Sequence, residues 1–280
     1  MIKLGLIGYP VAHSLSPKIQ TAALKHFGLK GDYSLFPIHP QDKQGLKNLL
    51  ECVRSGEITG LNVTIPHKQN VMEFLDELTP TAKAIGAVNI IYQRGNKLVG
   101  DNTDAPGFLA DLKRFVNKET GKQGNRNALI LGAGGSARAV VYALANDNWK
   151  VTIAARRIEQ AKQLLLSFFN YELRMSNIES LTLPTFQPSN LELIVNTTPV
   201  GMFPNVDKSP LPAKASLSQE TIIYDLVYNP RETKFVRDAR AQGLQATTGL
   251  GMLIEQAALG FELWTGRQPP RDVLWNAVEN

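Results

Sequence analysis

The sequence predicts an α/β fold in two domains, one with a mostly parallel sheet and one of the Rossmann type. Three observations predict it. Short β-rich runs alternate with helical patterns along roughly the first hundred residues, and such alternation builds a parallel sheet with helices on its faces. A second alternating series follows a polar segment at 117–127, and its first turn is rich in glycine. The length, 280 residues, suffices for two domains of ordinary size.

In chain order, strands are predicted at 3–8, 33–38, 60–65, 87–92 and, after a Gly95-Asn96 turn, 97–100. Helices are predicted at 17–27, 41–55 and 67–75. Pro17 follows Ser16, the order of a capping serine and a proline at the first helical position. In the second series, strands fall at 128–131, 151–154, 193–195 and 221–224, and helices at 136–146 and 158–169. The proline-rich stretch 199–213 reads as a loop, and 252–264 returns to a helical pattern. The expected division is a substrate domain over 1–104, completed by 252–280, and a dinucleotide domain over 105–251.

Composition removes several classes. Hydrophobic residues at 43% and charged residues at 20% describe a globular chain, not a disordered one. No apolar run approaches the roughly 18 residues that span a bilayer, so no membrane partner is expected. The chain opens at once on the strand-like Ile2-Lys3-Leu4-Gly5-Leu6-Ile7, and no signal or transit segment is expected. The single cysteine, Cys52, excludes an intrachain disulfide and fits a reducing cytoplasm. Its neighbours Leu49, Leu50 and Val53 suggest a buried structural thiol. The net charge of +5 comes from scattered Lys and Arg mixed with Asp and Glu. That pattern argues against nucleic acid and suits an anionic substrate and a phosphorylated cofactor.

The stretch Ala128-Leu-Ile-Leu-Gly132-Ala133-Gly134-Gly135-Ser136-Ala137 is a strand, a glycine-rich turn and a helix start. Its spacing, Gly132-x-Gly134-x-x-Ala137, fits the dinucleotide fingerprint. The first glycine allows a tight turn, the second lets backbone approach a pyrophosphate, and the small third residue allows close helix packing. A helix N-terminus at this point attracts phosphate charge. The end of the next strand separates NAD from NADP. NAD sites place Asp or Glu there to hold the ribose 2′-hydroxyl, whereas this chain has Ala154-Ala155-Arg156-Arg157. A guanidinium pairs bidentately with a 2′-phosphate. The bland alternative, two solvated arginines, puts positive charge where a helix start disfavours it. The expected cofactor is therefore NADP.

Four polar stretches lie outside that half, each at or just beyond a predicted strand end: 13–17 (His-Ser-Leu-Ser-Pro), 62–68 (Asn-Val-Thr-Ile-Pro-His-Lys), 86–89 (Gly-Ala-Val-Asn) and 102–104 (Asn-Thr-Asp). In open α/β sheets that edge binds ligands. Taken singly, each has a structural explanation. Ser16 caps a helix, Asn62 and Asn89 satisfy turns, and Lys68 and Asp104 form a surface pair worth under about 1 kcal/mol. Four at matching positions point to a site.

Over essentially its whole length the chain resembles the shikimate dehydrogenase family. The matching stretches are 8–17, 62–68, 85–89, 100–108, 132–135, 196–202, 224–228 and 249–256, in family order and spacing. The resemblance implies that Lys68 is the acid/base and Asp104 its partner. It sets the substrate carboxylate against Ser14, Ser16 and Tyr228, and the ring hydroxyls against Thr64, Lys68, Asn89, Asp104 and Gln256. It gives Arg156 the 2′-phosphate and gives the Leu226 and Gly249 backbone the nicotinamide end. The chain departs from the family at Ile19-Gln20, where His-Asn is usual, and at Ala155, Arg157 and Gln160. The phosphate clamp is thus rearranged.

The chemistry fits independently. Reducing a ketone creates an alkoxide that needs a proton donor within hydrogen-bond reach, and a lysine ammonium also stabilises the developing charge. A polyol substrate suits Asn, Gln, Thr and Ser. No metal is required, and His13 and His67 read as neighbours of better candidates. The expected partners are shikimate and 3-dehydroshikimate, with the chain a monomer or homodimer. Two alternatives stay open: a dual quinate/shikimate dehydrogenase, and a non-catalytic protein sensing the same metabolites.

Overall fold

The computed structural model describes residues 1–116, 126–168, 190–211, 215 and 217–279. Two compact units emerge, Met1–Gly107 with Ile254–Asn280, and Phe108–Leu253. The two boundaries fall inside helices α5 (Asp104–Val116) and α9 (Leu250–Thr265).

In the first unit, strands β1 (Ile2–Gly8), β2 (Gly31–Pro37), β3 (Gly60–Val63), β4 (Glu77–Leu78), β5 (Ile90–Arg94) and β6 (Lys97–Asp101) form one sheet in the order β2-β1-β3-β5-β6-β4. β1 runs parallel to β2 and β3, and β4 parallel to β6. β5 is antiparallel to both its neighbours, because the predicted Gly95-Asn96 turn makes a hairpin in which Arg94 pairs with Lys97. Gly95 takes φ +59° there, a conformation that costs glycine little.

Helices α1 (Ser16–His26), α2 (Lys43–Arg54), α3 (His67–Asn70) and α4 (Pro80–Ile85) join these strands. Leu46, Leu49, Leu50 and Val53 form the buried stripe of α2, each worth about 1.5–3 kcal/mol when fully buried. They pack on Ile7, Leu61, Val63 and Ile91 of the sheet. The other face buries Leu4, Leu6 and Tyr33 beside Trp264 of α9, and α10 (Arg271–Glu279) packs on α1.

The second unit contains β7 (Asn127–Leu131), β8 (Lys150–Ala154), β9 (Leu193–Asn196), β10 (Ile222–Asp225) and β11 (Ala246–Thr248), in the order β11-β10-β9-β7-β8. All its pairings are parallel. β8 lies on one side of β7 and β9 on the other, so the winding reverses at β7. Such a reversal opens a crevice at the carboxyl ends of the strands. Helices α6 (Gly135–Asn146), α7 (Ile158–Phe168) and α8 (Lys234–Ala241) complete the described part.

Several expectations are corrected. Ser16 does not cap α1; it is the first helical residue, and the Ser14 hydroxyl accepts from its N–H at 3.2 Å. The strand predicted from 87 begins at Ile90, because Val88 N–H and Asn89 N–H bond across to Lys68 O and Asp101 O. The helix predicted over 67–75 is α3 followed by a 3-10 turn, Val71–Phe74. Cys52 is only half-buried, although burial still pushes its thiol up. Residues 117–125, 169 and 212–213, which belong to predicted segments, lie outside the described residues. Among the described residues no helix is long and apolar enough to cross a membrane.

Candidate functional site

In the first unit, the ends of β3, β5 and β6 converge. Thr64 N–H donates to Ile7 O, and Tyr9 N–H to Ile65 O, so the segments after β1 and β3 lie side by side. One of them carries Ser14 and Ser16, the other Thr64 and Lys68. Ser16 is buried and Ser14 and Thr64 are half-buried. Because Ser14 Oγ already accepts from Ser16 N–H, its own proton is directed elsewhere.

Lys68 is fixed from two sides. Its carbonyl accepts from Val88 N–H at 2.7 Å. His67, 2% exposed, holds Ile38 O at 2.7 Å through Nε2, so Nε2 carries the ring proton. Lys68 Nζ then donates to Asp104 Oδ2 at 2.5 Å, with side-chain exposures of 10% and 6%. This is a buried ion pair, not the surface pair of the bland alternative. Removing one partner of such a pair is costly.

Asn89 is the hub beside it. Its amide donates to Asp104 Oδ1 and Thr103 Oγ1, both at 2.9 Å, and to Gln256 Oε1 at 3.4 Å, while its carbonyl oxygen accepts from Thr103 N–H at 2.7 Å. Asn89 therefore does more than satisfy a turn. Asn62 lies within β3 and donates to Asn89 O at 3.2 Å, and Tyr33 OH donates to Asn62 Oδ1 at 2.8 Å. Asn102 accepts from Asp104 N–H and Ala105 N–H and donates to Ala87 O, capping α5 so that Asp104 points from its first turn. Lys68, Asn89, Asp104 and Gln256 are thus brought together. Asn62, Tyr33, Asn102, Thr103 and His67 brace them, and sequence reasoning gave none of these five a role. The polar stretches 62–68 and 102–104 were the available signal for all but Tyr33.

In the second unit the glycine-rich turn stands at the end of β7. Gly132 has φ +114°, and a β-carbon there would lie 2.6 Å from Thr197 Oγ1, so only glycine fits. Ala133 follows it, and Gly134 caps α6 with no side-chain hydrogen bond. Nothing lies within 4 Å of where a Gly134 β-carbon would project. Gly135 and Ser136 open the helix, and Ala137 is fully buried beneath it. A helix start with a glycine cap and open space beside it is what a pyrophosphate needs, so these residues fit a dinucleotide. Arg156 and Arg157 follow β8 and are exposed.

Leu226 and Gly249 also meet. Leu226 N–H donates to Asn196 O at 2.9 Å, and a β-carbon on Gly249 would overlap the Leu226 carbonyl. Gly249 therefore allows two stretches of main chain to touch. Tyr228 stands half-buried on the turn after β10. Among the described residues no group of three or more His, Cys, Asp or Glu could hold a metal.

Residues 6–91 match the family described as shikimate dehydrogenase substrate binding domain, 114–190 that described as shikimate/quinate 5-dehydrogenase, and 249–279 the shikimate 5′-dehydrogenase C-terminal domain. A shikimate dehydrogenase (NADP(+)) of Methanococcus maripaludis is 38% identical over 277 residues, covering 99% of this chain and 96% of that one. The crystal structure of shikimate 5-dehydrogenase from Thermus thermophilus, in complex with NADP(H) and shikimate, superposes with a TM-score of 0.85 at 38% identity, covering 100% and 99% of the two chains. Quinate dehydrogenase from Corynebacterium glutamicum, in complex with NAD, superposes with a TM-score of 0.86 at 28% identity over 99% and 98%.

Proposed function

The chain belongs to the shikimate dehydrogenase family, and from that membership we infer that it reversibly reduces 3-dehydroshikimate to shikimate with NADPH. The observation that carries the reading is the buried Lys68–Asp104 pair, hydrogen-bonded through Asn89 to Gln256. It combines a proton donor with the amide and carboxylate groups a polyol ring requires.

Bound NADPH supplies the hydride. The chain's residues do the remaining work. Lys68 Nζ gives its proton to the alkoxide oxygen formed from the ketone, and its charge stabilises that oxygen beforehand. Asp104 Oδ2 holds the ammonium in place. Asn89, Gln256 and Thr64 orient the ring hydroxyls, and Ser14 and Ser16 take the substrate carboxylate. Met1–Gly107 with Ile254–Asn280 is accordingly the substrate unit, and Phe108–Leu253 the cofactor unit. In the latter, residues 132–136 meet the pyrophosphate, Arg156 and Arg157 the 2′-phosphate, and Leu226 and Gly249 the nicotinamide end. The single cysteine and this metabolic role favour a cytoplasmic location.

The fold is shared with a quinate enzyme, so the substrate is decided by rates. Initial rates of oxidation of shikimate and quinate, each with NADP and NAD, should be highest for shikimate with NADP. Comparable kcat/KM for quinate would replace this reading with a dual enzyme, and no oxidation of either would leave a binding protein.

A further inference from the structure

Asp225 closes β10, paired in register with Asn196 of β9 and Thr248 of β11. It is fully buried, and its carboxylate gathers three donors. Oδ1 accepts from Asn196 Nδ2 at 2.8 Å and from Val227 N–H at 3.0 Å, and Oδ2 accepts from Thr233 Oγ1 at 2.7 Å. None of the three is charged. Burying a carboxylate among neutral partners is unfavourable, and burial pushes this carboxyl up to about 6 in spite of the three bonds. The fold carries a charge that a neutral residue would spare it.

The donors show what it holds. The Asn196 amide is oriented because its own oxygen accepts from Thr198 N–H and Thr198 Oγ1. Thr233 Oγ1 accepts from Val236 N–H and so caps α8. Val227 belongs to the turn that carries Leu226 and Tyr228. That turn is also tied through main chain, by Leu226 N–H to Asn196 O and by Gly249 N–H to Val227 O at 3.4 Å.

We infer that Asp225 is a positioning residue, whose carboxylate locks the 226–228 turn to the ends of β9 and α8 and thereby aligns the nicotinamide end of the cofactor site. The inference rests on the assignment of Leu226 and Gly249 to that end. It concerns the second unit alone, and Asp225, fully buried, presents no surface to a ligand.

The test compares Asp225→Ala and Asp225→Asn with wild type. An asparagine oxygen can still accept from Asn196 and Val227, and the Thr233 hydroxyl can turn to accept from its amide. Alanine removes all three carboxylate ties. Asp225→Ala should weaken NADPH binding and lower kcat by about 10-fold or more, since small displacements of a reacting group are costly. Its affinity for adenosine 2′,5′-bisphosphate, which lacks the nicotinamide half, should stay within about 2-fold of wild type, because that contact lies on other elements. Asp225→Asn should stay within about 3-fold throughout, as neutral acceptors replace the charged one.

Unchanged NADPH binding in Asp225→Ala would overturn the role. So would an equal loss of adenosine 2′,5′-bisphosphate binding, which would mean general unfolding, or an Asn variant as impaired as the Ala variant, which would make the charge itself the requirement. Because NADPH affinity is read directly, these outcomes stand apart from a failure of the substrate assignment, which would show in wild-type rates.

Discussion

Lys68 and Asp104 show how much one contact decides. At 2.5 Å and nearly out of solvent, they differ from an exposed pair of the same residues, which is worth under about 1 kcal/mol. Lys68→Ala removes the proposed proton donor and should cut turnover by about 100-fold or more. It also leaves Asp104 buried without its cation, so stability should fall by about 3–5 kcal/mol. Asp104→Asn should lower turnover and weaken shikimate binding together, as this residue holds Lys68 and is the proposed partner of a ring hydroxyl. In a double-mutant cycle of kcat/KM the losses should be less than additive; full additivity would mean the two do not act as a unit. Sequence alone offered both residues and Asn89, because each sits in a polar stretch at a strand end, whereas Gln256, in the middle of α9, was offered by the family resemblance. It could not offer Tyr33. A hydrogen bond to Asn62, 29 residues away, leaves no periodic or local trace. His67 read as the neighbour of a better candidate, and its bracing bond to Ile38 O leaves no local trace either.

At the scale of elements, legibility followed hydrophobic period and length. The longer parallel strands of both sheets were readable as apolar runs, and α2 and α6 as amphipathic or small-residue helices. Six described elements went unread. β4 and β11 have two and three residues, too few to show alternation. α5 begins Asp104-Ala-Pro-Gly107, residues that resemble a turn, although Ala105, Phe108 and Leu112 are buried at helical spacing. α8 is short and strongly charged, and α4 and α10 are also short. α4 did carry signals, with Thr79 capping, Pro80 in the first turn and Gly86 left-handed at the end.

The β8–α7 turn makes the element-scale prediction. Arg156 and Arg157 stand there exposed, where NAD enzymes place an acid. Replacing both by Ala should raise the KM for NADP by about 10-fold or more while barely moving that for NAD, given about 1.5–3 kcal/mol per charge-assisted bond, discounted for exposure. The NADP effect should shrink as ionic strength rises, and turnover at saturating cofactor should hold. Equal losses for both cofactors would move the pair to the pyrophosphate or to folding.

At the scale of the whole molecule, each unit has its own sheet and its own buried core, the condition for a unit to open by itself. The proposed ligands divide the same way, with shikimate on the first unit and the adenine half of the cofactor on the second. Ligand binding stabilises the unit that holds it by RT ln(1 + [L]/Kd), about 2.7 kcal/mol at 100 Kd. Exchange that proceeds through opening of that unit should then slow by about 100-fold. Hydrogen exchange read peptide by peptide distinguishes the two. Saturating shikimate should protect amides around Asn62–Val63, Lys68 and Asn89, whose N–H groups or neighbours are bonded at the ends of β3, β5 and β6. Adenosine 2′,5′-bisphosphate should instead protect β7, the turn at Gly132 and the first turn of α6. Shikimate protection confined to β7 and α6, with none at β3 and β5, would exchange the roles of the units and remove Lys68 and Asp104 from the substrate site, however well their geometry suits it.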